Sequence, residues 1–110
     1  FGLVKSYKKA AKIWKRAVEL GDVRAMNGLG LLYNNGSGVK LDKKKAERLF
    51  RMAADRGDAL AQTCLGAFLH SHEKCEEAVR YLVLSADQGF TASEACLGVC
   101  YRDGEGTEVD

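Results

Sequence analysis

There is no proline anywhere in this chain of 110 residues, so nothing in it is closed or kinked by a pyrrolidine ring. No apolar run approaches the roughly 18–20 residues needed to cross a bilayer, and nothing at the start resembles a secretory signal. Also missing are a phosphate loop of the Gly-x4-Gly-Lys type, a Ser/His/Asp set and a pair of carboxylates placed for acid–base work. Ser-x-x-Lys does occur at Ser6/Lys9, Ser37/Lys40 and Ser71/Lys74, but three hits in a lysine-rich chain without companion elements are noise. These absences argue against an enzyme and against a bound cofactor. What remains, 46% hydrophobic and 29% charged, is an ordinary folding composition for a single small domain and excludes global disorder.

What is present is repetition. From Ala10 the chain reads Ala10-x3-Trp14-x2-Ala17-Val18-x2-Gly21-Asp22-x2-Ala25-x4-Gly30-x2-Tyr33. Thirty-six residues on, it reads Ala46-x3-Phe50-x2-Ala53-Ala54-x2-Gly57-Asp58-x2-Ala61-x4-Gly66-x2-Leu69. After a further thirty-two come Ala78-x3-Leu82-x2-Ser85-Ala86-x2-Gly89 and then Leu97-Gly98-x2-Tyr101. Self-similarity at such a period marks a solenoid, in which each unit buries its apolar face against its neighbours. The expected fold class is therefore all-α: an α/α superhelical solenoid of antiparallel helix pairs with about six helices. The repeats divide as a half-repeat 1–21, repeats 22–57 and 58–89, and a partial repeat 90–110. The chain starts at Phe1 without an initiator Met and neither end has the polar look of a cap, so an excerpt of a longer array is expected.

The helices are expected near 4–20, 22–34, 42–56, 58–70, 73–88 and 91–102. In the first, Ala10, Ile13, Trp14, Ala17 and Val18 fall on one stripe opposite Lys8, Lys12, Lys15 and Arg16, with Ser6 as its N-cap. Gly21-Asp22 and Gly57-Asp58 read as tight corners: a left-handed glycine ends one helix and an aspartate caps the next. At the third corner, Gly89-Phe90-Thr91, the cap moves to Thr91 and pairs with Glu94 in a capping box. The loop Asn35-Gly36-Ser37-Gly38-Val39 is longer, recurs at Asp103-Gly104-Glu105-Gly106-Thr107 before Asp110, and is missing between His70 and Lys74. Gly30, Gly66 and Gly98 lie inside helices, where each costs about 1 kcal/mol against Ala, so a neighbouring helix is expected to pass close to them.

These residues resemble the Sel1-like repeat family, close kin of the tetratricopeptide repeats. Ala46, Phe50, Ala53, Ala54, Gly57, Ala61, Leu65 and Gly66, with Gly36, Gly38, Val39 and Asp42 from the preceding loop, match its pattern, and the likeness runs from residue 6 to 110. A tetratricopeptide unit ordinarily has a 34-residue period and a closing proline, which this chain lacks. Ser85 and Ser93 replace the usual alanines, so looser packing is expected in the third copy. The resemblance implies a right-handed superhelix serving as scaffold or adaptor; relatives act in membrane-protein quality control, signalling, organelle assembly and bacterial host interaction.

On the concave side, the first-type helices are expected to present Arg24, Asn27, Leu31 and Asn34, then Leu60, Thr63, Ala67 and His70, then Ala92, Ala95, Val99 and Arg102. The i, i+3, i+7, i+10 spacing puts each set on one helix face, suited to a partner peptide or helix from another protein. Charge offers a second reading. Residues 1–57 hold 14 Lys/Arg against 5 Asp/Glu, whereas 58–110 hold 3 against 10. Lys8, Lys12 and Lys15 recur as Lys44, Arg48 and Arg51, a stripe fit for an anionic surface such as an acidic protein or lipid headgroups; the plainer reading is a solvated face. Nucleic acid is a poor fit, since Trp14 and Phe50 are expected in the core rather than interleaved with the charge. A structural subunit of a large assembly is the remaining alternative.

Cys64, Cys75, Cys96 and Cys100 are read as reduced, small buried hydrophobes, since equivalent helices stack about 8–10 Å apart and a disulfide needs Cα atoms within about 7 Å. Reduced thiols favour a reducing compartment, cytoplasm or organelle matrix. His70, His72 and Cys75 form one loose ligand set where zinc sites have two, so no metal is assigned.

Overall fold

All six expected helices form, with bounds close to those read from the pattern: α1 (Gly2–Glu19), α2 (Val23–Asn35), α3 (Lys43–Asp55), α4 (Ala59–Ser71), α5 (Cys75–Asp87) and α6 (Thr91–Arg102). The structure, a computed structural model, describes residues 2–102, and among them there is no strand. The expected loop Asp103–Thr107 and Asp110 lie outside the described residues.

The corners follow the capping chemistry. Gly21, Gly57 and Gly89 take φ of +86°, +91° and +82°. Asp22 accepts the Ala25 backbone N–H at 3.0 Å and Asp58 that of Ala61 at 2.8 Å. Asp42 does the same for Lys45 at 3.1 Å. Two caps fall elsewhere than expected. Ser6 lies inside α1, because the helix extends back to Gly2. Thr91 is already the first residue of α6, so the Thr91–Glu94 box gives way to Phe90, whose carbonyl accepts the Ser93 backbone N–H at 3.1 Å. The shortened turn before α5 is closed by the Lys74 backbone N–H on the Leu69 carbonyl at 2.9 Å, with Glu73 left-handed at φ 61°. Here Glu76 and Glu77 in the first turn complement the helix dipole where no side chain caps it.

The chain divides into two compact units, Phe1–Arg56 and Gly57–Asp110. In the first, α2 packs on both α1 and α3. Its core joins Ala25, Leu29 and Leu32 of α2 to Ala46, Leu49, Phe50 and Ala53 of α3, all buried. A Cβ on Gly30 would sit 2.8 Å from the Phe50 ring, and one on Gly28 2.9 Å from the Trp14 ring. The glycines thus mark where aromatic rings of the neighbouring helices press on α2. Gly38 is tighter still: at φ +72°, its Cβ would lie 2.5 Å from the Tyr7 backbone carbon, so this loop rests directly on α1. Ile13 departs from the expected stripe. It is 66% exposed, while Ala11 is buried in its stead, because α1 packs on α2 along one side only.

In the second unit α5 packs on α4 and α6, and α6 also touches α4. Ala61, Leu65 and Leu69 of α4 meet Ala78 and Leu82 of α5, and a Cβ on Gly66 would fall 2.6 Å from Leu82. Both replacing serines are buried, and each hydroxyl finds a partner. Ser85 Oγ donates to the Ala59 carbonyl at 2.7 Å and lies 2.8 Å from Thr63 Oγ1, and the Ser93 hydroxyl donates to the Phe90 carbonyl. Gly98 is the exception to the close-packed glycines: nothing lies within 4 Å of its Cβ position.

Candidate interaction surface

Because α4 and α6 occupy equivalent positions in successive repeats, residues at equivalent phases face the same way. Ala67 and His70 of α4 and Cys96, Val99 and Cys100 of α6, with Leu82 of α5 behind them, line a cavity of about 140 Å³. Ala67 is exposed and Val99 is 36% exposed, so the cavity opens to solvent through residues expected on the concave face. Leu82, Cys96 and Cys100 are lining residues that the face pattern did not include. A signal for them existed: Leu82 occupies the position where the earlier copies carry Trp14 and Phe50, and an isobutyl group fills less space than either ring.

The other expected face residues divide by burial. Arg24, Leu31, Leu60, Ala92, Ala95 and Arg102 are exposed, and Asn34 is half-buried with its side-chain and backbone oxygens accepting from Lys43 Nζ at 3.0 and 3.1 Å. Asn27 and Thr63 are corrections. They are 3% and 8% exposed, and the one Thr63 hydroxyl proton is taken up either by the Ala59 carbonyl at 3.1 Å or by Ser85 Oγ at 2.8 Å. Both occupy the i+3 position of the face pattern, which is covered in α2 and α4 although its counterpart Ala95 in α6 is exposed. They hold structure, and substituting them would disturb the fold before it tested a partner.

The basic stripe lies on the solvent sides of α1 and α3. Lys8, Lys12, Lys15, Lys44 and Arg48 are exposed, whereas Arg51 is half-buried and paired with Glu47 at 2.8 Å. All four cysteines are thiols. His72 stacks on Phe68 at 4.2 Å, its Nδ1 2.8 Å from the Phe68 carbonyl oxygen, which ties it to the end of α4. Among the described residues no group of three or more His, Cys, Asp or Glu side chains is placed to hold a metal ion. Nor, among them, is any helix long and apolar enough to cross a membrane.

Paired helices, Gly-Asp corners and small residues under large ones define a helical-repeat protein. The Sel1 repeat family profile matches residues 1–22, 23–58, 73–90 and 93–110, and the chain belongs to that family. Over 73 residues it is 30% identical to a putative sel1-like repeat-containing protein of Acanthamoeba polyphaga mimivirus, covering 66% of this chain and 14% of that one. Among solved structures, a protective antigen of uropathogenic Escherichia coli strains displaying an SLR fold aligns with a TM-score of 0.83 at 34% identity. That alignment covers 88% of this chain and 22% of the antigen. A Sel1 repeat protein from Oxalobacter formigenes also gives 0.83, at 26% identity, over 94% of this chain and 44% of the other. The chain thus spans less than half the length of each of these relatives. Its fold is the Sel1-like repeat solenoid, typically a non-catalytic scaffold, and Sel1 repeats generally bind other proteins.

Proposed function

We propose that this stretch acts by binding rather than catalysis, seating a segment of a partner protein on the exposed faces of its first-type helices. The observation that carries the reading is the α4–α6 cavity. Three face residues chosen from spacing alone, Ala67, His70 and Val99, border one solvent-open, largely apolar recess sized for a single aliphatic side chain. Leu60, at 47% exposure, adds apolar surface on α4. Recognition would follow the helix-in-groove or extended-peptide modes, with one anchor residue in the recess and a polar contact at Arg102.

The test is Ala67→Arg, which fills the mouth of the recess from an exposed position. Partners captured by the wild-type chain should be lost by the variant while circular dichroism and thermal midpoint stay unchanged. Capture of the same partners by a folded Ala67→Arg chain would overturn the proposal. Binding that instead falls steeply with added salt and ignores this substitution would favour the basic stripe on α1 and α3.

A further inference from the structure

The first unit carries a second recess of different chemistry. Leu29 and Tyr33 of α2 and Leu49 of α3 form its floor, Lys45 and Arg48 stand on its rim, and it encloses about 190 Å³. The Lys45 ammonium lies over the Tyr33 ring at 5.2 Å from the centroid. Among the described residues neither Lys45 nor Arg48 is in an ion pair, although on the same helix Arg51 is paired with Glu47 and Lys43 is bonded to Asn34.

Two features set these cations apart from an ordinary solvated face. Lys43, Lys44 and Lys45 occupy the first turn of α3, which contains no acid. Cations at that end oppose the helix dipole, so helix stability does not account for them, and the single capping carboxylate of Asp42 offsets only part of their charge. The internal repeat supplies the second feature. At the equivalent corner of the second unit Arg80 keeps the charge of Arg48, but Glu77 replaces Lys45, the larger Tyr81 replaces Leu49 and Leu69 replaces Tyr33, so the cation pair is broken there. The basic recess therefore belongs to one unit and is not a requirement of the repeat.

We propose that this recess docks an acidic segment of another protein, one large apolar side chain on Leu29 and Leu49 and flanking carboxylates on Lys45 and Arg48. An apolar floor gives no gain to a bare phosphate, and the one aromatic face is already covered by Lys45, which leaves no platform for stacking a base. The site is separate from the α4–α6 recess and stands without it.

The probe is a short fluorescent peptide with a phenylalanine between glutamate pairs. Anisotropy measures its affinity for the chain, and amide shifts on the isotope-labelled chain locate it. Saturable binding is expected, with shifts centred on Tyr33, Lys45, Arg48 and Leu49. Exchanging phenylalanine for serine, or the glutamates for glutamine, should each weaken it by about tenfold or more. Lys45→Glu with Arg48→Glu should abolish it in a folded chain, since an acid in the first turn favours the helix. Ala67→Arg should leave it unchanged, which separates failure here from failure of the function proposed above. Four results would overturn the proposal: no saturable binding at about 1 mM peptide; equal affinity for the serine peptide; displacement by a single-stranded oligonucleotide from the same residues; or self-association of the chain through Lys45 and Arg48.

Discussion

Replacing Gly38 by Ala tests whether the α2–α3 loop rests on α1. Two penalties act there. At φ +72° an L-residue occupies the left-handed region, which costs about 1–2 kcal/mol. The new methyl group would also stand 2.5 Å from the Tyr7 backbone carbon and 2.7 Å from the Lys8 nitrogen. Those atoms belong to a helix backbone and cannot rotate aside as a side chain would, so either α1 or the loop must shift, at about 1–3 kcal/mol. Gly21→Ala provides the control within the same unit: φ is +86° but nothing lies within 4 Å of the added atom, so only the conformational cost remains. The expectation is a loss of about 1–2 kcal/mol for Gly21→Ala, and about 2–5 kcal/mol for Gly38→Ala. Urea unfolding followed by circular dichroism, and by the fluorescence of Trp14, the sole tryptophan, measures both. At a urea slope of about 1 kcal/mol per molar, Gly38→Ala should lower the midpoint by about 2 M or more. Equal losses in the two variants would refute the contact between the loop and α1.

Two of the three repeat glycines at equivalent positions, Gly66 and Gly98, should respond with opposite signs. Gly66→Ala, pressed on Leu82 and 3.4 Å from the Ala78 carbonyl, should destabilise by about 1–3 kcal/mol. Gly98→Ala, with open space around it, should stabilise by about 0.5–1 kcal/mol in the same urea assay. Asp58→Ala removes the cap of α4 and should cost about 1 kcal/mol, most of which Asp58→Asn should restore. Ser85→Ala should destabilise by about 1 kcal/mol through loss of its bonds to Ala59 and Thr63; a neutral result would mean the buried hydroxyls contribute only volume.

Helix positions and corners were legible because they depend on neighbours in sequence. A glycine followed by aspartate ends one helix and starts another wherever it occurs, and Asp22 and Asp58 cap as that rule requires. The rule fails where the cue is weaker. Ser6 and Thr91 are common capping residues, yet both lie within helices: α1 extends back to Gly2, and α6 begins at Thr91 itself, directly after non-helical Phe90. The interaction face was legible in part for a related reason. Spacing assigns residues to a face but not a depth to each, and the inward i+3 position holds buried Asn27 and Thr63 alongside exposed Ala95.

The 110 residues by themselves determined the family, the helix pairs and the absence of a recognised catalytic motif, because repetition, capping and periodicity are written in local order. Tertiary structure alone decided which equivalent positions differ. Gly66 is pressed by Leu82 while Gly98 stands open, Ser85 is satisfied by a carbonyl twenty-six residues away, and two recesses of unlike chemistry open in units built on one pattern. The cause is physical: identical residues meet different neighbours at each position along the chain, and a repeat cannot state within itself what packs against it.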